Sequence, residues 1–214
     1  MSEPSKPTAP DPEQMLNLSV KDFTAATAAK TPIPGGGSVA GAVGGLAAAL
    51  GEMSLVFTLG KKQFAAHAAE HQALAVRLAR ARGMFIDLTS DDASAYTLYQ
   101  EATRCADATK DEKTRLALAA AIDVPRQMTA LAITVLDDLV ALSRACNPWL
   151  LSDLAAAAVL AESVVRLSDL NVRVNAKNVP DAAAAGDLRQ ASARDCRRAA
   201  ELRGEIEKVV AQHL

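Results

Sequence analysis

The chain has 214 residues with 25 acidic and 23 basic side chains, is 50% hydrophobic, and is only 3% aromatic. A formal charge of −2 leaves no basic footprint, and so few aromatics offer no platform for stacking bases, which argues against a nucleic-acid partner. That length suffices for one domain with a real core, and alanine-rich apolar content without period-two alternation indicates closely packed helices rather than sheet.

The opening MSEPSKPTAPDPEQ is polar, Pro-rich and without an apolar core. It does not read as a signal peptide, so 1–17 is expected to be a disordered extension preceding a single helical domain over 18–214. Ser19 and Asp22 have the spacing of a capping pair and start a short helix over 20–29. Then comes TPIPGGGSVAG, in which Pro32, Pro34 and three glycines stop that helix and Ser38 takes the N-cap place of the next, over 39–60. Gly37, Gly41, Gly45 and Ala49 recur every four residues on one face. Along such a stripe another backbone, of this chain or of a second copy, can approach closely. The span 39–59 is long enough to tempt a membrane reading, but Glu52 lies inside it, and a buried helix is the better interpretation.

Lys61 and Lys62 follow, where cations suit a helix C-terminus. A helical pattern resumes over 64–107, roughly 60 Å if continuous. Gly83 offers a bend and Thr89 with Asp92 a capped restart, so the pattern fits one bent helix or two. After ATKDEK a helix over 112–146 is expected to be interrupted near Pro125. Asn147-Pro148 is a cap followed by a first-turn proline and opens a helix to about 174; 175–180 is a turn, and 181–213 a final, more polar helix. The expected class is all-α, an elongated bundle of long antiparallel helices, with the Gly41/Gly45 stripe also suggesting a homodimer.

Few groups suggest chemistry. His67-Ala-Ala-Glu70-His71 matches the H-x-x-E-H pattern, and the two histidines share a helical face as zinc ligands would. No second cluster supplies a third ligand, and the surroundings read as a solvated helix face, so no metal is expected. The triple glycine lacks the lysine of a P-loop and follows no strand. It can simply open a helix, or its N–H groups can hold a carboxylate or phosphate. Asp91-Asp92 reads either as a cap or as a general base at Asp92, with Tyr96 one turn on. Asp153 lies in the apolar run 149–159, where a carboxylate needs a partner or a task. Asn175-Ala-Lys177 reads as a C-terminal turn. Cys105, Cys146 and Cys196 form no CxxC pair, which suits a reducing cytoplasm.

Taken in order, TPIPGGGSVAGAVGGLAAAL, LGKKQF, DDASAY, NPWLLSDLAAAAVLAE and LNVRVNAK resemble the cyclodeaminase/cyclohydrolase family of folate enzymes over roughly 20–180. The resemblance implies an all-helical dimer acting on the one-carbon bridge between N5 and N10 of tetrahydrofolate, with no cofactor beyond that substrate. The first expectation is hydrolysis of 5,10-methenyltetrahydrofolate to 10-formyltetrahydrofolate. The alternatives are deamination of 5-formiminotetrahydrofolate and a non-catalytic helical dimer that binds a folate-like ligand or a protein. By the same resemblance, Lys61 and Asp92 are the catalytic residues, while Gly35, Gly36, Gly37, Ser38, Lys62 and Asp153 bind substrate. Asp92 would position or deprotonate water, Lys61 assist the leaving nitrogen, Asp153 meet the pterin's amino edge and Lys62 the glutamate tail. The chain departs from the family pattern around Pro148, Trp149 and Leu154, and at Arg126.

Overall fold

The most apolar helix of the chain packs against three of the other long helices. A computed structural model describes residues 9–213, and among these residues it contains α-helices and 3-10 turns but no strand. The helices are α1 (Pro12–Met15), α2 (Val20–Ala28), α3 (Gly36–Val56), α4 (Ala68–Arg104), α5 (Lys110–Ser143), α6 (Leu151–Ala176) and α7 (Ala182–Val210), with 3-10 turns at Lys62–His67 and Pro148–Leu150. The all-α bundle of long antiparallel helices is as expected. Within the stretch expected to be a disordered extension, Pro12–Met15 forms α1 and Met15 is buried; residues 1–8 lie outside the described residues.

α3 runs antiparallel to α4 with its glycines against it. A Cβ on Gly41 would sit 2.4 Å from Thr89 Oγ1 and 3.0 Å from its backbone, and one on Gly44 would sit 2.4 Å from the Phe85 ring. The small-residue stripe therefore seats α4 of the same chain, and that face is not open to a second copy. α6 lies along α3 in the same sense as α4. Asn147, just before α6, donates from its backbone to Thr58 Oγ1 (3.0 Å) and from Nδ2 to the Phe57 carbonyl (3.1 Å), beyond the end of α3. α7 covers α5 and α6 with Ala199, Leu202 and Ile206, and polar ties run from Arg203 to Glu162 (2.9 Å) and from Ser192 to Asp169 (2.8 Å).

Several boundaries differ from the sequence reading, each for a local reason. Ser19 does cap α2, accepting from the Asp22 N–H. Gly35, not Ser38, occupies the N-cap of α3, so Ser38 lies inside the first turn. α4 is one helix of 37 residues: Thr89 donates back to the Phe85 carbonyl at 2.9 Å instead of capping a restart. α5 continues through Pro125. Proline removes the N–H that would have bonded the carbonyl four residues earlier, and here Asn175 Nδ2 on α6 donates to that Ala121 carbonyl at 2.8 Å. The expected interruption is repaired from a neighbouring helix.

α3 and α5 are each long and apolar enough to cross a membrane, but 50% and 44% of their most apolar windows are already buried inside the bundle. α3 packs against α4, α5 and α6, and α5 against α3, α4, α6 and α7, which is how core helices behave. The face of α3 turned away from the bundle stays apolar, with Leu46 60% and Val56 66% exposed.

The repair of α5 is testable. Asn175→Leu leaves the Ala121 carbonyl without its donor and should cost about 1–3 kcal/mol in urea unfolding. In a Pro125→Ala background the restored N–H satisfies that carbonyl, so the loss should shrink. Equal losses in both backgrounds would show that the bond from Asn175 does not compensate the proline.

Candidate active site

A helix begins with backbone N–H groups that have no partner inside the helix, and α3 begins with Gly35, which has no side chain to supply one. The acceptor comes from another helix. Asp92, on α4, lays its carboxylate over Gly37, where an added Cβ would lie 1.9 Å from Oδ1. Ser38 Oγ donates to Asp92 Oδ2 at 3.0 Å, and the Ser38 backbone N–H also donates to that carboxylate. An acid at a helix N-terminus satisfies the free donors and meets the positive end of the helix dipole. α6 brings Asn171 to the same end, its Nδ2 4.0 Å from where a Gly36 Cβ would stand and donating to the Leu167 carbonyl. Met15, Ile33 and Ala93 close the apolar floor beside Asp92.

The electrostatics of Asp92 are unusual because no cation faces it. Burial pushes its carboxyl above the usual carboxylate range, and the two hydrogen bonds from Ser38 oppose that rise without cancelling it. A fixed carboxyl held above its usual range accepts a proton more readily than an ordinary carboxylate, as a general base requires.

The other expected site residues are not all here. Gly35, Gly36, Gly37, Ser38 and Asp92 converge, but Ser38 is fully buried and bonded to Asp92, so it supports that acid rather than touching a ligand. Lys61, Lys62 and Asp153 gather at the opposite end, after the C-terminus of α3 and in the first turn of α6. At 1.5 Å per residue the 21 residues of α3 separate Lys61 from Asp92 by about 30 Å within one chain. Tyr96 turns away from Asp92 and accepts a hydrogen bond from Gln100 Nε2 at 2.8 Å. Trp149 is 87% exposed and narrows no pocket.

The H-x-x-E-H stretch is solvated over 67–70, as the sequence suggested, but not at His71. His67 is exposed, but His71 is buried against Phe64 and stacks on His67 with ring centroids 5.9 Å apart. Burial and the neighbouring His67 hold the His71 imidazole below its usual range. Among the described residues no group of three or more His, Cys, Asp and Glu side chains is placed to hold a metal ion. Sequence reasoning missed Asn171. Its signal was available: Asn171 and Asn175 stand four apart on one face of a largely apolar helix, where buried amides need partners.

The raised pKa of Asp92 carries a stability consequence. The folded state holds this proton more tightly than the unfolded chain, so the stabilising contribution is present below the ordinary value of 3.8 and is lost as pH rises through the raised folded value. Asp92→Asn should therefore melt at a higher temperature than the parent at pH 8, with the gain fading toward pH 4. A variant less stable than the parent at pH 8 would contradict the assignment.

Comparison with known proteins agrees with this architecture. A family model described as formiminotransferase-cyclodeaminase matches residues 19–194. The Mus musculus formimidoyltransferase-cyclodeaminase is 32% identical over 177 residues, which is 79% of this chain and 33% of the mouse protein, so the chain spans about a third of that relative's length. The methenyltetrahydrofolate cyclohydrolase of Methylorubrum extorquens is 29% identical over 173 residues, covering 78% of this chain and 83% of that one. The crystal structure of formiminotetrahydrofolate cyclodeaminase from Thermotoga maritima superposes with a TM-score of 0.84 at 26% identity, over 91% of this chain and 96% of that chain. With its helical bundle and an acid seated on the glycine loop, the chain belongs to the formiminotransferase-cyclodeaminase family.

Proposed function

We propose that this chain is a folate one-carbon enzyme that hydrolyses 5,10-methenyltetrahydrofolate to 10-formyltetrahydrofolate. The observation that carries this reading is the Asp92 carboxyl, fixed on the glycine loop with a raised pKa and no cation beside it. In the reaction, water adds to the electrophilic methenyl carbon while Asp92 takes its proton, giving a tetrahedral carbinolamine. The bond from that carbon to N5 then breaks, N5 takes up a proton, and the formyl group stays on N10. The net change is addition of one water and release of one proton, and the scheme calls on no metal or redox cofactor.

Lys61 is proposed as the group that serves the leaving N5, and it cannot reach Asp92 within one chain. Two copies packed antiparallel along the apolar outer face of α3, through Val39, Val43, Leu46 and Leu50, would set the Lys61 end of one against the Asp92 end of the other. A two-fold interface of this kind uses the same patch on both copies and creates two equivalent sites. Asp153 and Lys62 would arrive with Lys61, to meet the pterin's amino edge and the glutamate tail. Three free cysteines suit the cytoplasm as the compartment.

The cyclodeaminase reaction is the second reading, favoured by the names of the mouse and Thermotoga maritima relatives. It uses the same acid to close 5-formiminotetrahydrofolate to the methenyl form with loss of ammonia.

Purified protein should accelerate the loss of methenyltetrahydrofolate absorbance over the spontaneous rate, and Asp92→Asn should remove about 10²–10⁴-fold of that acceleration, the usual worth of a general base. No acceleration by the parent, with turnover of formiminotetrahydrofolate instead, would move the assignment to the cyclodeaminase. The shared site has its own test. Equal amounts of Lys61→Met and Asp92→Asn, each inactive, should regain about a quarter of parental activity after subunit exchange, because half the dimers are mixed and each holds one intact site. A monodisperse monomer in light scattering, or no recovery on mixing, would overturn the shared site.

A further inference from the structure

We propose that Ser38 is the positioning residue for Asp92: its buried hydroxyl and its backbone N–H together hold the carboxylate against the glycine backbone at the start of α3. The inference rests on the reading of Asp92 as the proton acceptor, and it gives Ser38 a role distinct from ligand binding.

Three observations support it. Ser38 is completely buried, so a ligand cannot reach its hydroxyl, and the Asp92 carboxylate is the acceptor to which that hydroxyl donates. Gly37 carries no Cβ, and any side chain there would collide with Asp92 Oδ1, so the carboxylate is pressed onto the turn that contains Ser38. No charged group on the elements packed around Asp92 acts on its titration, neither Asp11 and Glu13 at α1, nor Lys30 before the glycine turn, nor Asp87 and Asp91 on its own helix, nor Arg173 on α6. Its carboxyl is governed by burial on one side and by Ser38 on the other. A partly buried carboxylate with a single residue donating to it depends on that residue to remain ionised.

Removing the hydroxyl should therefore change when Asp92 ionises rather than whether the protein folds or binds. With carboxyl-¹³C aspartate incorporated into the full chain, and the Asp92 resonance identified by its loss in Asp92→Asn, Ser38→Ala should titrate at higher pH than the parent. The acid limb of kcat for methenyltetrahydrofolate hydrolysis should move the same way, lowering kcat on that limb by about tenfold, the worth of one hydrogen bond to a charged group. KM should stay unchanged and the alkaline plateau should be regained. Ser38→Cys, of similar size and with a weaker donor, should fall between the two and serves in place of the alanine variant if that does not fold. An Asp92 titration identical in Ser38→Ala and the parent, or a rate loss equal at every pH, would overturn the proposal. If the parent turns over neither folate, the catalytic reading falls while the carbon titration still decides whether Ser38 governs Asp92.

Discussion

The close seam between α3 and α4 is the constraint on which the rest of this structure depends. Six glycines in a helix of 21 residues work against helix formation, each by about 1 kcal/mol relative to alanine. Their return is distance: Gly41 lies against the backbone of Thr89 and Gly44 against the ring of Phe85. Once those contacts are made, the register of the two helices is settled, because a shift in either direction drives a side chain into a backbone. That register carries Asp92 to the first turn of α3, over Gly37, and it brings Arg82 to Glu52 near the other end, at 2.6 Å.

The consequence for chemistry is that the glycine loop already holds an anion, and the anion belongs to the protein. Backbone N–H groups at a helix start commonly bind phosphate or carboxylate from a ligand. Here the first turn of α3 receives a carboxylate from α4, and burial raises its affinity for a proton. A partly buried acid with no cation partner is a poor choice for stability and a good one for proton transfer. Such a conflict between local rules is expected where a site, rather than the fold, dictates the residue.

α3 also acts as a spacer. It holds the acid at one end and the lysine pair at the other, about 30 Å apart, while its outer face remains apolar between them. Leu46 and Val56 stand exposed on that face, and in the proposed dimer the two ends of a chain would be half-sites. Large exposed apolar patches of this kind mark surfaces that associate, and on this helix association and site completion are the same event in the proposed dimer.

Much was legible in the sequence because it depends on local chemistry. Alanine content, the absence of period-two alternation, the Ser19 cap and the Asn147-Pro148 start set the helical class and most boundaries, since capping and propensity act within a few residues. The pairing of Gly37 with Asp92 could be suspected only as two unrelated motifs 55 positions apart along the chain. Pro125 was misread as a break because the donor that rescues α5, Asn175, lies on another helix. Ser38 was misread as a cap because the N-cap falls at Gly35 and α4 buries the serine inside the first turn, and His71 was misread as solvated for the same kind of reason. The sequence by itself determined what each segment prefers to be, since those preferences are set by neighbours in the chain. Only the tertiary structure decided which carboxylate sits on the glycine turn and which lysine stays away from it, because that follows from how closely two helices can approach and in what register.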